Sequence, residues 1–388
     1  MSLFRRPAAF QQGFFVFTFL YTAFGVQSPF VPILLQERGI EASLIGFFLA
    51  AGTAVKLVAA PIAGRAGDRF NALGVAFFVA AIGSALASLM FIESASVVAL
   101  LVVILAHALF TGPLAPLADA IGLRVAGESS ARYGLLRGVG SAAFIFGVVV
   151  SGQFVSGYGT SSAFVANAVL LTAAAGFALV IHGERASRER KEPEADRHAF
   201  RELLRIREFR LVIIVSGLIL GSHALHDGFT MIRWREAGIT PDVAAPLWAI
   251  AVGAEVLVFF FVGGALITRI GARGACLVAC GAALVRWSAM ALTASPLILM
   301  AVQPLHGLTF ALLHLACMDI IARSVPSRMF GTAQGLYATM GAGVSSVIVT
   351  ALAGVLYGRM GGGAFWVMAV ISSCALPFIL RLKEPEGR

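Results

Sequence analysis

Eleven ionisable side chains interrupt otherwise apolar stretches of this chain, and they are the residues equipped for chemistry. Lys56, His107 and Asp119 lie in the first half; His223, His226, Asp227, Glu255, Arg286, His306, His314 and Asp319 lie in the second. Charge is costly in hydrocarbon, so each one is a functional candidate by position alone. Counting helical rise from the nearest loop arginine puts Glu255, Arg286 and His223 each roughly 20 Å from one membrane face. On the same count His306 lies roughly 26 Å and His314 roughly 14 Å from Arg323.

Glu255 and Arg286 at one depth suggest a buried ion pair ringed by histidines. A substrate carboxylate competing for Arg286 would free Glu255 to take a proton, so anion and proton would travel together. The plainer reading is a Glu–Arg pair that locks two helices. His223, His226 and Asp227 are spaced i, i+3 and i+4 and share one helix face. A proton or substrate hydrogen-bond cluster suits them better than a metal site, since no further ligand stands at a suitable spacing. Lys56, roughly 14 Å deep by helical rise, either meets substrate or snorkels to the cytoplasmic face. His107 reads as a hydrogen-bonded packing residue. Tyr21, Phe24 and Gln27, with Trp248 and Phe259 near Glu255, are the candidate apolar lining for a substrate.

The elements that must hold these residues follow from composition. Hydrophobic residues form 59% of the 388 and charged residues only 13%, with a mean hydropathy of +0.89. That is too little charge to cover a water-soluble surface. Runs of roughly 20 apolar residues, the length that spans a bilayer core, fall at 10–36, 42–63, 73–93, 96–123, 134–156, 160–182, 210–234, 243–268, 273–294, 296–322, 330–357 and 364–382. The first run, following Arg5 and Arg6, reads as an uncleaved helix rather than a signal peptide.

Of 29 lysines and arginines, the external segments hold only Arg38, Arg233, Arg235 and Arg359. That bias predicts both ends in the cytoplasm. The net charge of +9 thus belongs to membrane orientation rather than to nucleic acid. Cys276, Cys280, Cys317 and Cys374 sit inside apolar runs without a zinc spacing, and no cofactor or metal is expected.

A polar stretch over 183–209, with an amphipathic helix expected around His198–Arg207, divides the chain into six-helix halves, 1–182 and 210–388. The halves carry traces of one repeat: Gly64–Arg69 against Gly264–Arg269, Asp119 against Asp319, and His107 against His306, each about 200 residues apart.

The pattern Gly64-x-x-x-Asp68-Arg69 between the second and third spans resembles the signature loop of the major facilitator superfamily. That resemblance implies that Asp68 caps a helix of the opposite half and that Arg69 pairs with Asp119. The second copy carries Thr268 in place of the aspartate. Further stretches resemble the phenylpropionate permease group: Phe24-Gly25, Pro29-Phe30, Gly221-Ser222-His223-Ala224, Leu247-Trp248 leading to Glu255-Val256, Arg286-Trp287, Gln303-Pro304-Leu305-His306, and Thr309-Phe310 with His314. The resemblance implies twelve helices in two pseudo-symmetric bundles and import of an aromatic or other small carboxylate with protons, by alternating access. It also implies a monomer in a bacterial inner membrane.

Three alternatives stay open. One is a nucleoside or sugar symporter. Another is a drug/proton antiporter, although the fifth span lacks the proline that such exporters usually show. The third is a membrane enzyme, for which no convincing nucleophile is in view.

Overall fold

The computed structural model describes residues 8–69, 73–127, 129–180 and 197–383, with backbone alone for 63–69 and 197–199. Arg5, Arg6 and the linker up to 196 therefore lie outside the described residues. So do the side chains of Gly64, Asp68 and Arg69, and with them the expected loop interactions.

Among the described residues ten helices are long and apolar enough to cross a membrane. Six belong to the first half: α1 (Ala8–Glu37), α2 (Ala42–Ile62), α3 (Leu73–Glu93), α4 (Val97–Ala126), α5 (Ser130–Tyr158) and α6 (Ser161–Leu179). In the second half, α7 is Arg207–Glu236 and α10 is Pro296–Ser324. The other two, Pro241–Leu292 and Ser327–Ile379, are 52 and 53 residues long. That is more than twice what a bilayer core requires. Each is broken by a glycine in the left-handed region, Gly271 at φ 72° and Gly361 at φ 54°, a conformation that a side chain disfavours. Divided there, they supply α8 (241–270), α9 (272–292), α11 (327–360) and α12 (364–379). The twelve spans expected from the sequence are present. The expected surface helix is Arg197–Arg205, tied to α11 by the Glu202–Arg328 ion pair at 2.5 Å.

Large apolar side chains stay uncovered along the spans, among them Phe261 at 74% and Leu297 at 76% exposure. Such a surface is stable only where lipid replaces water.

The chain forms two compact units, Met1–Ile40 with Ala51–Arg190 and Thr240–Pro246, and Glu41–Ala50 with Lys191–Ile239 and Leu247–Arg388. In the first, Phe10, Phe17, Leu20, Phe77, Leu117, Leu136 and Leu171 build the core. Here α1 and α5 approach through glycine: a Cβ on Gly25 or Gly147 would collide with the backbone of Phe144 or Thr22. In lipid, such close packing replaces the hydrophobic effect as the force joining helices.

Each unit also repeats a device at the C-terminal end of its first helix. Glu37 accepts a hydrogen bond from Thr160 at 2.9 Å, and Glu236 accepts one from Tyr357 at 2.6 Å. Both glutamates stand two residues before a positive-φ glycine, Gly39 or Gly238.

Three segments of the second unit are π-helical: Val258–Val262 in α8, Gly307–Leu312 in α10 and Tyr337–Val344 in α11. Their i→i+5 bonding packs extra residues into a turn, a feature frequent at functional sites.

Candidate functional site

The second unit gathers most of the ionisable residues around one fully buried guanidinium. Arg286 on α9 is 0% exposed, and its plane lies over Trp287 at 4.6 Å. Trp287 is itself anchored by an Nε1–H bond to Ser222 Oγ at 2.9 Å. Two arms lead outward from the guanidinium.

Along the first arm, Arg286 Nη1 donates to His306 Nδ1 at 3.0 Å, and His306 Nε2 faces Glu255 Oε2 at 3.5 Å. An arginine only donates, so Nδ1 must accept, and the neutral ring then carries its proton on Nε2, toward the carboxylate.

Along the second arm, Arg286 Nη2 donates to Gln303 Oε1 at 3.1 Å. That fixes the amide orientation. Gln303 Nε2 then donates to the Leu247 carbonyl at 3.3 Å and to His226 Nε2 at 3.4 Å. His226 is left to donate from Nδ1 to Asp227 Oδ1 at 3.1 Å. One buried cation thus reaches two carboxylates, each through an imidazole whose tautomer the network dictates. The arms end in partly exposed carboxylates, the Glu255 side chain at 25% and the Asp227 side chain at 62% exposure.

Local structure explains the assembly. A Cβ on Gly307 would lie 2.6 Å from the Ala254 carbonyl oxygen and 2.9 Å from Val258. Only glycine therefore lets the π segment of α10 press on α8 beside Glu255 and His306. His223 is satisfied in place, with Nδ1 donating to the Ile219 carbonyl at 3.0 Å and Nε2 at 2.9 Å from Thr309 Oγ1. Its ring packs against His306 at 5.2 Å. His314 pairs with Tyr337 Oη at 3.2 Å and meets the edge of Phe259. Asp319 takes an ion pair from Arg323 at 2.6 Å.

Several expectations change. Between Glu255 and Arg286 stands His306, which contacts both. Helical rise alone had put that residue too far out, because the count assumes straight α-helices and ignores the π turn beside it. Arg286, buried completely, is out of reach of a substrate in this structure and acts only through its neighbours. Trp248 is not an open lining residue: it is buried and stacks on His226 at 4.8 Å. Gln27 is buried too, and donates to Ser88 Oγ at 2.8 Å, joining α1 to α3.

In the first unit, Asp119 accepts from Arg137 Nη1 at 3.0 Å, while the same nitrogen donates to Tyr21 Oη at 2.8 Å. Asp119 thus joins α4 to α5, and its expected partner Arg69 has its side chain outside the described residues. Phe24 meets Tyr21 edge-on at 5.9 Å. Lys56 is exposed and sits where α2 crosses α4, its Cα 3.0 Å from where a Cβ on Gly112 would be. His107, one turn before Thr111, shares that hydroxyl's hydrogen bonding with Ser84.

Sequence reasoning missed Gln303 as a connector and Arg137 as the partner of Tyr21 and Asp119, since it groups Arg137 with the cytoplasmic loop charges. It also missed that Lys56 and His107 are separated by 51 residues, as are Glu255 and His306. That spacing was a signal available in the sequence: the same repeat position holds a cation in one half and an acid in the other. Among the described residues no three His, Cys, Asp or Glu side chains stand close enough to hold a metal.

Comparison with known proteins agrees with this architecture. The model of the MFS_1 like family matches residues 13–368. The chain is 31% identical over 372 residues to the probable 3-phenylpropionic acid transporter of Escherichia coli (strain K12), covering 94% of each. It is 26% identical over 389 residues to the maltose permease of Geobacillus stearothermophilus, covering 98% of this chain and 96% of that one. Among solved structures, the nucleoside transporter NupG superposes with a TM-score of 0.83 at 15% identity, covering 97% of this chain and 98% of that one. A D-xylose-proton symporter does so with a TM-score of 0.66 at 16% identity, covering 97% of each.

Proposed function

The chain belongs to the MFS_1 like family of the major facilitator superfamily, a multi-pass membrane transporter rather than an enzyme, and on that premise we propose that it is a proton symporter importing a small organic acid. The observation that carries this reading is His306, held between the buried Arg286 and the partly exposed Glu255. Glu255 is the proton acceptor. When ionised it repels an incoming carboxylate; like charges at 4 Å cost about 4 kcal/mol at an effective dielectric of 20. That corresponds to roughly a thousandfold in affinity. Protonation removes the repulsion, so the anion binds well only when the proton is aboard.

In the first unit Lys56 is an exposed cation suited to a substrate carboxylate, with Tyr21 and Phe24 as aromatic surface; in the second, Phe259 lies one helical turn from Glu255. The name of the Escherichia coli relative supports an aromatic acid such as 3-phenylpropionate. The excess of arginine in the intervening segments supports placing both ends in the cytoplasm. A single copy is sufficient for the cycle, since both arms and the cations belong to one chain.

Uptake into proteoliposomes with the acid side outside tests the reading. Wild type concentrates the solute, whereas Glu255→Gln loses uphill uptake and keeps substrate exchange. Uphill uptake that survives in Glu255→Gln rejects the assignment.

A further inference from the structure

We infer that Asp227 is a second polar contact for the solute, accepting a hydrogen bond from a hydroxyl at the end remote from the acid, so that the transported acid is a hydroxylated one. This names the substrate class of the symport reading and rests on it.

On α7, every residue from Gly221 to Ile232 is buried except Asp227. A lipid-facing stripe on a helix recurs at i±3 and i±4. The residues at those positions are His223 and Ala224 on one side and Thr230 and Met231 on the other, all buried. Asp227, with most of its side chain exposed, therefore opens into a recess rather than onto lipid.

The recess offers an acceptor that is oriented in advance. Arg286 holds Gln303, Gln303 holds His226, and His226 Nδ1 donates to Asp227 Oδ1 at 3.1 Å. That is the one hydrogen bond of the Asp227 side chain among the described residues, and Oδ2 is left to accept another. Thr230, one turn on and on the same face, keeps a buried hydroxyl with no hydrogen-bond partner. Buried polar groups are otherwise paired, so this face carries two polar groups whose capacity the fold leaves unused. Beside them, Gly228 lets Leu49 of the same unit come close: a Cβ there would lie 3.2 Å from Leu49 Cδ1. Apolar and polar surface thus adjoin, as an aromatic ring bearing a hydroxyl requires.

Charge selects what binds Oδ2. The solute's own carboxylate is repelled by Asp227, so its acid end points elsewhere. An ammonium is opposed by Arg286, the cation that faces Asp227. A hydroxyl donates a proton without carrying net charge and meets neither penalty. An ether oxygen in its place has no proton to give, and two acceptors would face each other.

The test is calorimetric titration of the full chain in detergent with 3-phenylpropionate, its meta- and para-hydroxyphenyl counterparts and the matching methoxyphenyl ethers. Uridine and maltose serve as uncharged hydroxyl bearers. Wild type is expected to bind the better hydroxylated acid roughly ten- to a hundredfold more tightly than its ether or the unsubstituted acid, the worth of one hydrogen bond to a charged group. In Asp227→Asn the amide oxygen takes the bond from His226 and the N–H groups turn outward, so an acceptor becomes a donor. Affinity for the hydroxylated acid is then expected to fall toward that of the ether, with a melting curve to check folding. Asp227→Glu keeps a carboxylate and is expected to retain the wild-type order. Uptake of the same solutes into proteoliposomes under a pH gradient is measured in parallel.

Equal wild-type affinity for the hydroxylated acids and their ethers overturns the inference, as does a preference that Asp227→Asn leaves unchanged. So does tighter binding of uridine or maltose than of every acid, or no binding of any acid. A hydroxyl preference without pH-driven uptake of any probe keeps the Asp227 contact and removes the symport reading. Uptake driven by pH without a hydroxyl preference does the reverse.

Discussion

A neutral imidazole that accepts from an arginine on one nitrogen and points a proton at a carboxylate from the other transmits a change in charge without being charged itself. His306 holds that position, and removing it would strand a buried donor of Arg286. Losing the partner of a charged hydrogen bond costs about 1.5–3 kcal/mol. For His306→Leu the expected outcome is a lower melting temperature in detergent together with loss of pH-driven uptake. Arg286→Lys is no conservative change either. The guanidinium bonds His306 and Gln303 from two nitrogens of a planar fork, and an ammonium is a point charge without that geometry. Uptake by Arg286→Lys is expected to fall by roughly ten- to a hundredfold, the rate equivalent of one such bond. Gln303→Leu keeps the first arm and cuts the second. It is expected to lower pH-driven uptake only in part, against the full loss in Glu255→Gln.

At the scale of elements, the arms exist because α8, α9 and α10 come close at one level. The contact of α10 on α8 depends on Gly307, beside the Ala254 carbonyl. Gly307→Val would force these helices apart, and overpacking of this kind costs about 1–3 kcal/mol. The expected result is a protein that still inserts but melts earlier. Uphill uptake is expected to fall more steeply than exchange, because His306 moves off Glu255. Apolar periodicity carries no trace of the π turns. A π turn changes the bonding partner by one residue and leaves the composition of the run untouched, so it is visible only in the backbone. Arg137 shows the same blind spot. Seven residues separate Ser130, the first residue of α5, from a guanidinium bound to Tyr21 and Asp119, yet its position near a chain break reads as a loop charge.

At the scale of the whole molecule, the duplicated halves place opposite charges at equivalent positions, Lys56 in one and Glu255 in the other, each 51 residues before a histidine. Under the proposed symport, divergence at that position gives one half a cation for the anion and the other an acid for the proton. Lys56→Gln is therefore expected to raise KM for a carboxylate substrate by roughly tenfold or more, about the value of one lost charged hydrogen bond. Binding of an alcohol analogue of the same skeleton should be unchanged, and equal effects on both would reduce Lys56 to a packing residue. A cysteine introduced in the 183–196 segment is expected to react with an impermeant maleimide only from the cytoplasmic side, in keeping with the arginine bias.

The amino-acid sequence by itself determined the twelve spans, the family and the residues whose charge is out of place in lipid. Each of these depends on local composition and spacing, and a bilayer imposes its length and polarity on every segment separately. Only the tertiary structure decided which charges meet. Glu255 and Arg286 share a depth, yet His306 stands between them; Gln27 and Trp248 turn inward to neighbours; Asp119 answers to Arg137. Depth along a helix follows from counting residues, whereas facing depends on helix rotation, on close approach at single glycines and on π turns. Those are settled by packing among segments distant in the chain, which no window of sequence contains.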